Sequence, residues 1–176
     1  MSTYEKLLHE QIRNEFTASQ QYTAVAVWYD DQDLPQLAGH FYKQALEERN
    51  HAMMMVQYLL DKDIRPQIPS VGEVESDFKT ALEPLELALA QEITVTKQIE
   101  TLARTARDES DYVGEQFMQW FLKEQVEEVA AMKTLVNVAK RAGDNLFHLE
   151  DFLARELAGN GGTADPTAPI AAGGAV

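Results

Sequence analysis

Four glutamates are spaced so that they could act together, because each lies near the middle of a long helical pattern. In each pattern an apolar stripe with steps of three and four residues predicts the face that packs into a core. The glutamates that interrupt these stripes are Glu15, Glu48, Glu92 and Glu128. Helices of similar length that pack side by side bring their middles to one height, so we expect these carboxyl groups to converge inside the protein.

Converging buried carboxylates need a partner, since an isolated buried charge costs several kcal/mol and like charges add to that cost. The stripes offer no arginine or lysine at that level, which leaves bound cations or protonation. Glu48 and His51 share one helix face in the Glu-x-x-His spacing with which di-iron carboxylate bundles bind metal. That motif is weak alone, but with four glutamates in register it favours a metal site. A polar layer of protonated glutamates is the alternative.

The ligand types narrow the choice of metal, and the composition excludes several classes of site and partner. Several carboxylates and one imidazole suit iron, manganese or magnesium better than copper. The chain has no cysteine, which excludes disulfides, zinc ribbons, Cys-ligated iron–sulfur centres and thiol nucleophiles, and fits a cytoplasmic location. A net charge of −14 makes nucleic acid and anionic membranes poor partners. Without an apolar run of about 18 residues, we expect no membrane span.

The elements that must position these residues are four long helices and one short one. The periodicity predicts helices over about Thr3–Asp31, Leu34–Asp61 with Asp33 as N-cap, Glu83–Asp108, Asp111–Arg141 and Asn145–Leu157. Four long helices with no strand signal predict an all-α four-helix bundle. Residues 1–158 are expected to form one domain, and the Gly-, Ala- and Pro-rich residues 159–176 a flexible tail.

The link between the second and third helices, residues 62–82, is long enough to change the topology. About 20 extended residues reach roughly 65 Å, whereas a helix of about 28 residues is about 42 Å long. The link can therefore run the whole length of the bundle and make the third helix parallel to the second. One long crossover of this kind is typical of the ferritin-like topology.

At this point the chain, from about Tyr4 to Leu157, resembles the bacterial non-haem ferritins of the actinobacterial type, within the ferritin-like di-iron superfamily. The motifs that carry the resemblance are Asn14-Glu15-Phe16, Tyr22, Glu47 to Ala52, Gln91-Glu92 and the run from Gln116 to Glu128. The resemblance implies a ferroxidase that oxidises iron(II) with dioxygen or peroxide and stores iron(III) as a mineral. It also implies the short fifth helix and a homo-oligomeric shell of twenty-four subunits.

The resemblance also implies roles for particular residues. Glu15, Glu48 and His51 would hold a first iron, and Glu48 would bridge to a second iron that Glu92 and Glu128 complete. Gln125 would lie close by, and Tyr22 matches a tyrosine next to the centre. A nearby third iron site of some bacterial ferritins would use Glu47, Glu124 and Glu127 together with Glu128.

Two departures separate the chain from bacterioferritins. Those proteins carry a second Glu-x-x-His, whereas here Glu127 is followed three residues later by Ala130. They also ligate haem through a methionine just after the bridging glutamate, where this chain has Arg49, so we predict no haem. Two other functions stay open: a di-metal oxidoreductase acting on an organic substrate or peroxide, and a non-catalytic bundle or shell subunit. The single Glu-x-x-His and the absence of cysteine argue against the first, and the complete ligand set argues against the second.

Overall fold

The computed structural model describes residues 1–159 and 165–176. Its helices are α1 Thr3–Asp31, α2 Pro35–Asp61, α3 Glu83–Asp108, α4 Tyr112–Ala142 and α5 Leu146–Gly159. The predicted all-α bundle of four long helices with a short fifth helix is confirmed, with boundaries close to those expected from periodicity. Within the described ranges, none of these helices is both long and apolar enough to cross a membrane.

The helix ends are fixed by local and by distant partners. Ser2 and Glu5 form a capping box at the start of α1, and Asp111 accepts a hydrogen bond from the Gly114 amide at the start of α4. The prediction that Asp33 caps the second helix is wrong, because Asp33 lies in the left-handed region with φ 57° and Leu34 occupies the cap position.

The N-terminus of α2 is instead capped from another helix. The carboxylate of Glu150, on α5, accepts hydrogen bonds of 2.9 Å from the backbone amides of Gln36 and Leu37. These amides belong to the first turn, where no intrahelical carbonyl is available to them. A negative charge at this end also complements the helix dipole. A cap supplied from so far along the chain leaves no local pattern for sequence analysis to find.

The crossover between α2 and α3 runs beside α1 for most of its length. Its hydrogen bonds advance in step along the helix, joining Arg13 to Ser70, Thr17 to Gly72, Gln21 to Glu75 and Tyr29 to Ala81. Gly72 permits the close approach, since a Cβ there would lie 3.1 Å from the Thr17 methyl. The link therefore returns to the end of the bundle where α2 begins, and α3 runs parallel to α2, as the loop length predicted.

The core is divided into two apolar clusters by a polar layer. One cluster contains Tyr22, Ala45, Ala88 and Met132, and the other contains Ile12, Met54, Val95 and Phe121. Each pair of flanking residues on a helix encloses one mid-helix glutamate: Glu15 on α1, Glu48 on α2, Glu92 on α3 and Glu128 on α4. The apolar halves thus hold the four helices in the register that brings the glutamates to one level.

Residues 165–176, part of the segment for which the sequence predicts a flexible tail, pack back onto α2 and α4 in this structure. Trp120 Nε1 donates a 3.0 Å hydrogen bond to Asp165, and the Ala172 amide donates one of 3.0 Å to the Met53 carbonyl. Val176 and the side chain of Asn50 exchange two hydrogen bonds of 3.1 Å. Backbone groups take part in most of these hydrogen bonds. A search for apolar residues in the sequence therefore could not reveal that this segment packs onto the bundle. The domain boundary after residue 158 stays a prediction, and residues 160–164 lie outside the described part.

Gly114 and Gly39 offer a matched test of packing. A Cβ at Gly114 would lie 2.7 Å from Tyr4 Cε1, whereas one at Gly39, inside α2, would meet nothing within 4 Å. We expect Gly114→Ala to lower the free energy of unfolding by about 1–3 kcal/mol, through overpacking. Gly39→Ala should raise it by roughly 0.5–1 kcal/mol, through helix propensity. Urea denaturation of the two variants measures both effects, and equal signs would contradict this description of the α1–α4 contact.

Candidate metal centre

The centre is built around three side chains from the middles of α1 and α2. Glu15, Glu48 and His51 each offer a ligand atom, and these atoms all lie within 4.8 Å of one another. The three residues are only 1%, 2% and 5% exposed. His51 Nδ1 lies 3.2 Å from a Glu48 carboxylate oxygen, because the two residues are three apart on one helix face. Together they provide the mixed oxygen and nitrogen donors that a metal ion takes.

The other half of the layer comes from α3 and α4. Tyr22 donates a short hydrogen bond to a carboxylate oxygen of Glu92, and Thr96 donates one of 3.0 Å to Gln125. Glu92, Gln125 and Glu128 are all buried. In the part of the chain that the structure describes, Glu92 and Glu128 are not members of the compact three-residue group. They form the opposite wall of the same polar layer.

Burial and mutual repulsion determine the electrostatics of this layer. Burial raises the pKa of Glu48 well above its usual range, and the charge of Glu92 raises it further. Burial likewise raises the pKa of Glu15, with Glu48 as the next contribution. The pKa of Glu128 rises to about 8, mainly through burial and then through Glu92. For Glu92 burial again raises the pKa, although hydrogen bonds from Tyr22 and Gln125 oppose the rise. Near neutral pH these carboxyls need protons or cations.

Two carboxylate oxygens in the layer bear on whether protons or cations neutralise its charge. Glu15 Oε2 and Glu92 Oε2 are fully enclosed, and neither has a hydrogen-bond partner among the described residues. Enclosed polar atoms are normally paired, so each exception needs a reason. A proton on Glu15 can be shared with Glu48, whereas a metal ion can be bound at once by several oxygen atoms that have no donor. The donor set therefore fits a bound cation.

The residues expected at a third site lie beside this layer and are more exposed. Glu124 is partly buried, and its raised pKa is due first to burial, with further contributions from the charges of Glu127 and Glu47. Glu47 accepts a short hydrogen bond from Gln44 and lies 3.7 Å from Lys43. Glu127 is exposed on α4. The charges of Glu127 and Glu47 thus raise the pKa of Glu124, but among the described residues the three carboxylates do not form a compact cluster like that of Glu15, Glu48 and His51.

Sequence reasoning missed two amides that hold carboxylates of the centre. Gln11 donates a 2.8 Å hydrogen bond to Glu15, and Gln44 donates to Glu47. Both glutamines stand one helical turn before their glutamate, so the spacing of four or three residues could have revealed them. The His51 ring is enclosed edge-on by Trp120 and Phe121, at centroid distances of 5.6 and 5.8 Å.

Comparisons with known proteins extend over the whole bundle. Residues 5–142 match the family model of the ferritin-like domain. The ferritin BfrB of Mycolicibacterium smegmatis is 66% identical over 173 residues, covering 98% of this chain and 94% of that protein. A bacterial non-heme ferritin of Staphylococcus aureus is 35% identical over 138 residues, covering 78% and 83%. An open pore ferritin of the archaeon Archaeoglobus fulgidus is similar in structure, with a TM-score of 0.84 and 28% identity, covering 88% of this chain and 96% of that one.

The raised pKa of Glu128 predicts how the stability of the metal-free protein depends on pH. The usual pKa is 4.5 and that in the folded protein is about 8. Between these values the unfolded chain releases a proton that the folded chain retains, so stability falls as pH rises. Glu128→Gln should therefore stabilise the metal-free protein near pH 8 by about 1–4 kcal/mol, with little effect near pH 4.

Urea denaturation with a chelator, repeated from pH 5 to pH 8, measures the difference. The control is Glu127→Gln, which removes a neighbouring but exposed carboxylate. An unchanged pH slope in Glu128→Gln would contradict the electrostatic description of the layer.

Proposed function

The chain belongs to the ferritin-like family, and from that premise we propose that it oxidises iron(II) and stores the iron(III) product as a mineral. The observation that carries the proposal is the buried group of Glu15, Glu48 and His51, whose ligand atoms lie within 4.8 Å of one another. Carboxylate-rich ligation suits iron and holds it less tightly than thiolates would. Iron is therefore both substrate and cargo in this proposal, and its binding at the layer is transient.

Each residue of the layer has a role in the proposal. Glu15, Glu48 and His51 bind one iron ion, and the charge of Glu92 raises the pKa of Glu48. This effect of Glu92 on Glu48 supports Glu48 as the bridge to a second iron ion, which Glu92 and Glu128 complete. Tyr22 fixes the Glu92 carboxylate by donating a hydrogen bond to it. Gln125, hydrogen-bonded to Thr96, lies at the edge of this second position.

The pairing of two iron ions matches the electron count of the oxidant. Two iron(II) ions each lose one electron, and dioxygen takes both electrons and two protons to become hydrogen peroxide. Peroxide as oxidant takes two electrons and two protons and gives two waters. The carboxyl groups contribute by losing their own protons as iron binds, since their raised pKa values keep them protonated beforehand. Carboxylates then balance the extra positive charge of the oxidised pair.

Oxidised iron leaves towards Glu47, Glu124 and Glu127 in this proposal. These carboxylates lie beside Glu128 and are more exposed than the layer itself. A set of solvent-exposed oxygen ligands that binds iron more weakly, next to the buried ligands of the layer, gives iron a stepwise path out of the bundle. We therefore assign Glu47, Glu124 and Glu127 to a third site, the transfer position, through which oxidised iron leaves the layer.

We further propose that the iron(III) mineral lies inside a shell made of twenty-four copies of this chain, and that the shell is located in the cytoplasm. Several large apolar side chains at the surface of the single chain support association, among them Phe147 at 84% exposure and Tyr112 and Val126 at 70%. One relative of known structure is described as an open pore ferritin.

Removing ligands of the paired site tests the proposed oxidation. Glu48→Ala and His51→Ala should each slow the rapid phase of iron(II) oxidation by roughly 10–100-fold, the scale typical of damage to a metal site. Stopped-flow absorbance after mixing anaerobic iron(II) protein with dioxygen measures the rate. The controls are Glu100→Ala and His148→Ala, which remove exposed residues of the same types. Wild-type rates in the two ligand variants would overturn the assignment.

The role of Glu127 in the transfer position can be tested separately, from the rate of iron(II) oxidation over repeated additions. Glu127→Gln should leave the first rapid oxidation phase unchanged, because Glu127 is exposed and outside the compact group. Repeated additions of iron(II) should then be oxidised several-fold more slowly, because product leaves the layer less readily. Successive stopped-flow cycles measure this, with Glu100→Gln as the control. A defect in the first cycle would place Glu127 among the primary ligands instead.

A further inference from the structure

Two open cavities lie side by side along the seam between α1 and α3, with volumes of about 310 and 200 Å³. Asn14, Thr94 and Gln98 line both of them, so the two cavities form one continuous depression. We call it the α1–α3 trough and define it by its polar residues: Gln11, Asn14, Gln21, Gln91, Thr94 and Gln98. Five amide side chains and three threonine hydroxyls contribute to the walls of the two cavities, which apolar side chains such as Leu7, Leu102 and Val95 complete.

The trough is separated from the metal centre by two amide side chains. Asn14 Nδ2 donates a 3.1 Å hydrogen bond to Gln11 Oε1, and Gln11 Nε2 donates one of 2.8 Å to Glu15. Asn14 is half-buried and faces the trough, while Gln11 is 2% exposed. The chain of hydrogen bonds therefore leads from the surface depression directly to a carboxylate of the compact group.

The unpaired atoms along this path are oxygens. Gln98 Oε1, in the wall of the trough, is enclosed and has no hydrogen-bond partner within residues 1–159 and 165–176, and the same holds for Glu15 Oε2 at its inner end. Glu10 and Glu73 border the two cavities, and the exposed Lys97 borders one of them. Acceptor oxygens that lack donors attract cations. The hard amide and carboxylate oxygens suit divalent cations, and iron(II) is the divalent cation that the proposed function requires.

The other approaches to the layer are filled or serve another purpose. Along the bundle axis, the two apolar clusters close the layer from above and below. On the α2–α4 side, Trp120 and Phe121 cover His51, and Asp165 from the C-terminal segment holds the Trp120 indole. The partly buried Glu47 and Glu124 form the position assigned above to departing iron.

We propose that the α1–α3 trough is the access route by which hydrated divalent cations reach Glu15, with Asn14 and Gln11 as its gate. This inference rests on the proposed function, because it supplies the substrate of the same layer. A cation exchanges part of its water shell for the oxygens of Gln98 and Asn14. Rotation of the Asn14 amide breaks its bond to Gln11 and exposes Gln11 Oε1 as the next oxygen. Glu15 Oε2 then receives the cation.

Filling the trough tests the route without altering the layer. Thr94→Trp places a large ring over the depression at an exposed position whose hydroxyl only bonds back to the Ala90 carbonyl. Thr134→Trp is the matched control, since Thr134 is exposed on α4 and bonds in the same way to Ala130. Anaerobic stopped-flow mixing with Co²⁺, followed by its absorbance, gives the binding rate. Equilibrium titration gives the number of ions bound.

The expected result is several-fold slower Co²⁺ binding in Thr94→Trp, with wild-type stoichiometry and wild-type absorbance at equilibrium. The Thr134→Trp control should bind at the wild-type rate. An unchanged rate in Thr94→Trp would overturn the access route while leaving the proposed metal site intact. Failure of the wild-type protein to bind Co²⁺ or iron(II) would instead overturn the proposed function itself.

Two substitutions of Gln98 test whether cations pass through the trough. Their result does not depend on whether Thr94→Trp folds. Gln98→Glu adds a negative charge in the wall and should speed Co²⁺ binding at low ionic strength, whereas Gln98→Leu should slow it, each several-fold. The difference between the two variants should shrink as salt is added. Equal rates for both variants at all ionic strengths would show that cations do not use this path.

Discussion

The repulsion between four acidic groups held at one depth of an apolar bundle is the constraint on which the rest of the structure depends. Burial raises the pKa values of Glu15, Glu48, Glu92 and Glu128, and a neighbouring carboxylate adds to the effect for Glu15, Glu48 and Glu128. Such a layer weakens the metal-free fold, so the stability must come from elsewhere. It comes from the two apolar clusters on either side, which hold the helices in register and prevent the glutamates from moving apart.

Keeping that register requires a particular chain path. The crossover follows α1 through four successive hydrogen-bonded contacts and delivers α3 to the end where α2 begins. Glu150 then fastens α5 to the first turn of α2. These polar contacts lie at the periphery, whereas the acidic layer lies at the centre. The molecule thus uses hydrogen-bonded polar groups at its periphery to position carboxyl groups of which two oxygens, Glu15 Oε2 and Glu92 Oε2, have no partner in the described part of the molecule.

Much of this arrangement could be predicted from the sequence, for identifiable physical reasons. Helical periodicity located the five helices, because apolar stripes reflect packing directly, and loop length indicated the crossover. Register placed one glutamate of each long helix at one level. The cap of α2 was missed, because Glu150 is distant in sequence and Asp33 imitates a local cap. The course of residues 165–176 was missed, because hydrogen bonds to Asn50 and Met53 leave no hydrophobic pattern. Gln11 could have been found from its helical spacing to Glu15.

The contact between Val176 and α2 has a practical consequence for anyone who labels this protein. Val176 pairs with the side chain of Asn50, and Asn50 directly precedes His51 in α2. A label attached at Val176 would therefore begin at the turn of α2 that carries His51. A run of histidines attached there would bring competing imidazoles to the same turn. A label attached at Ser2 would start instead at the N-cap of α1, several turns before Glu15.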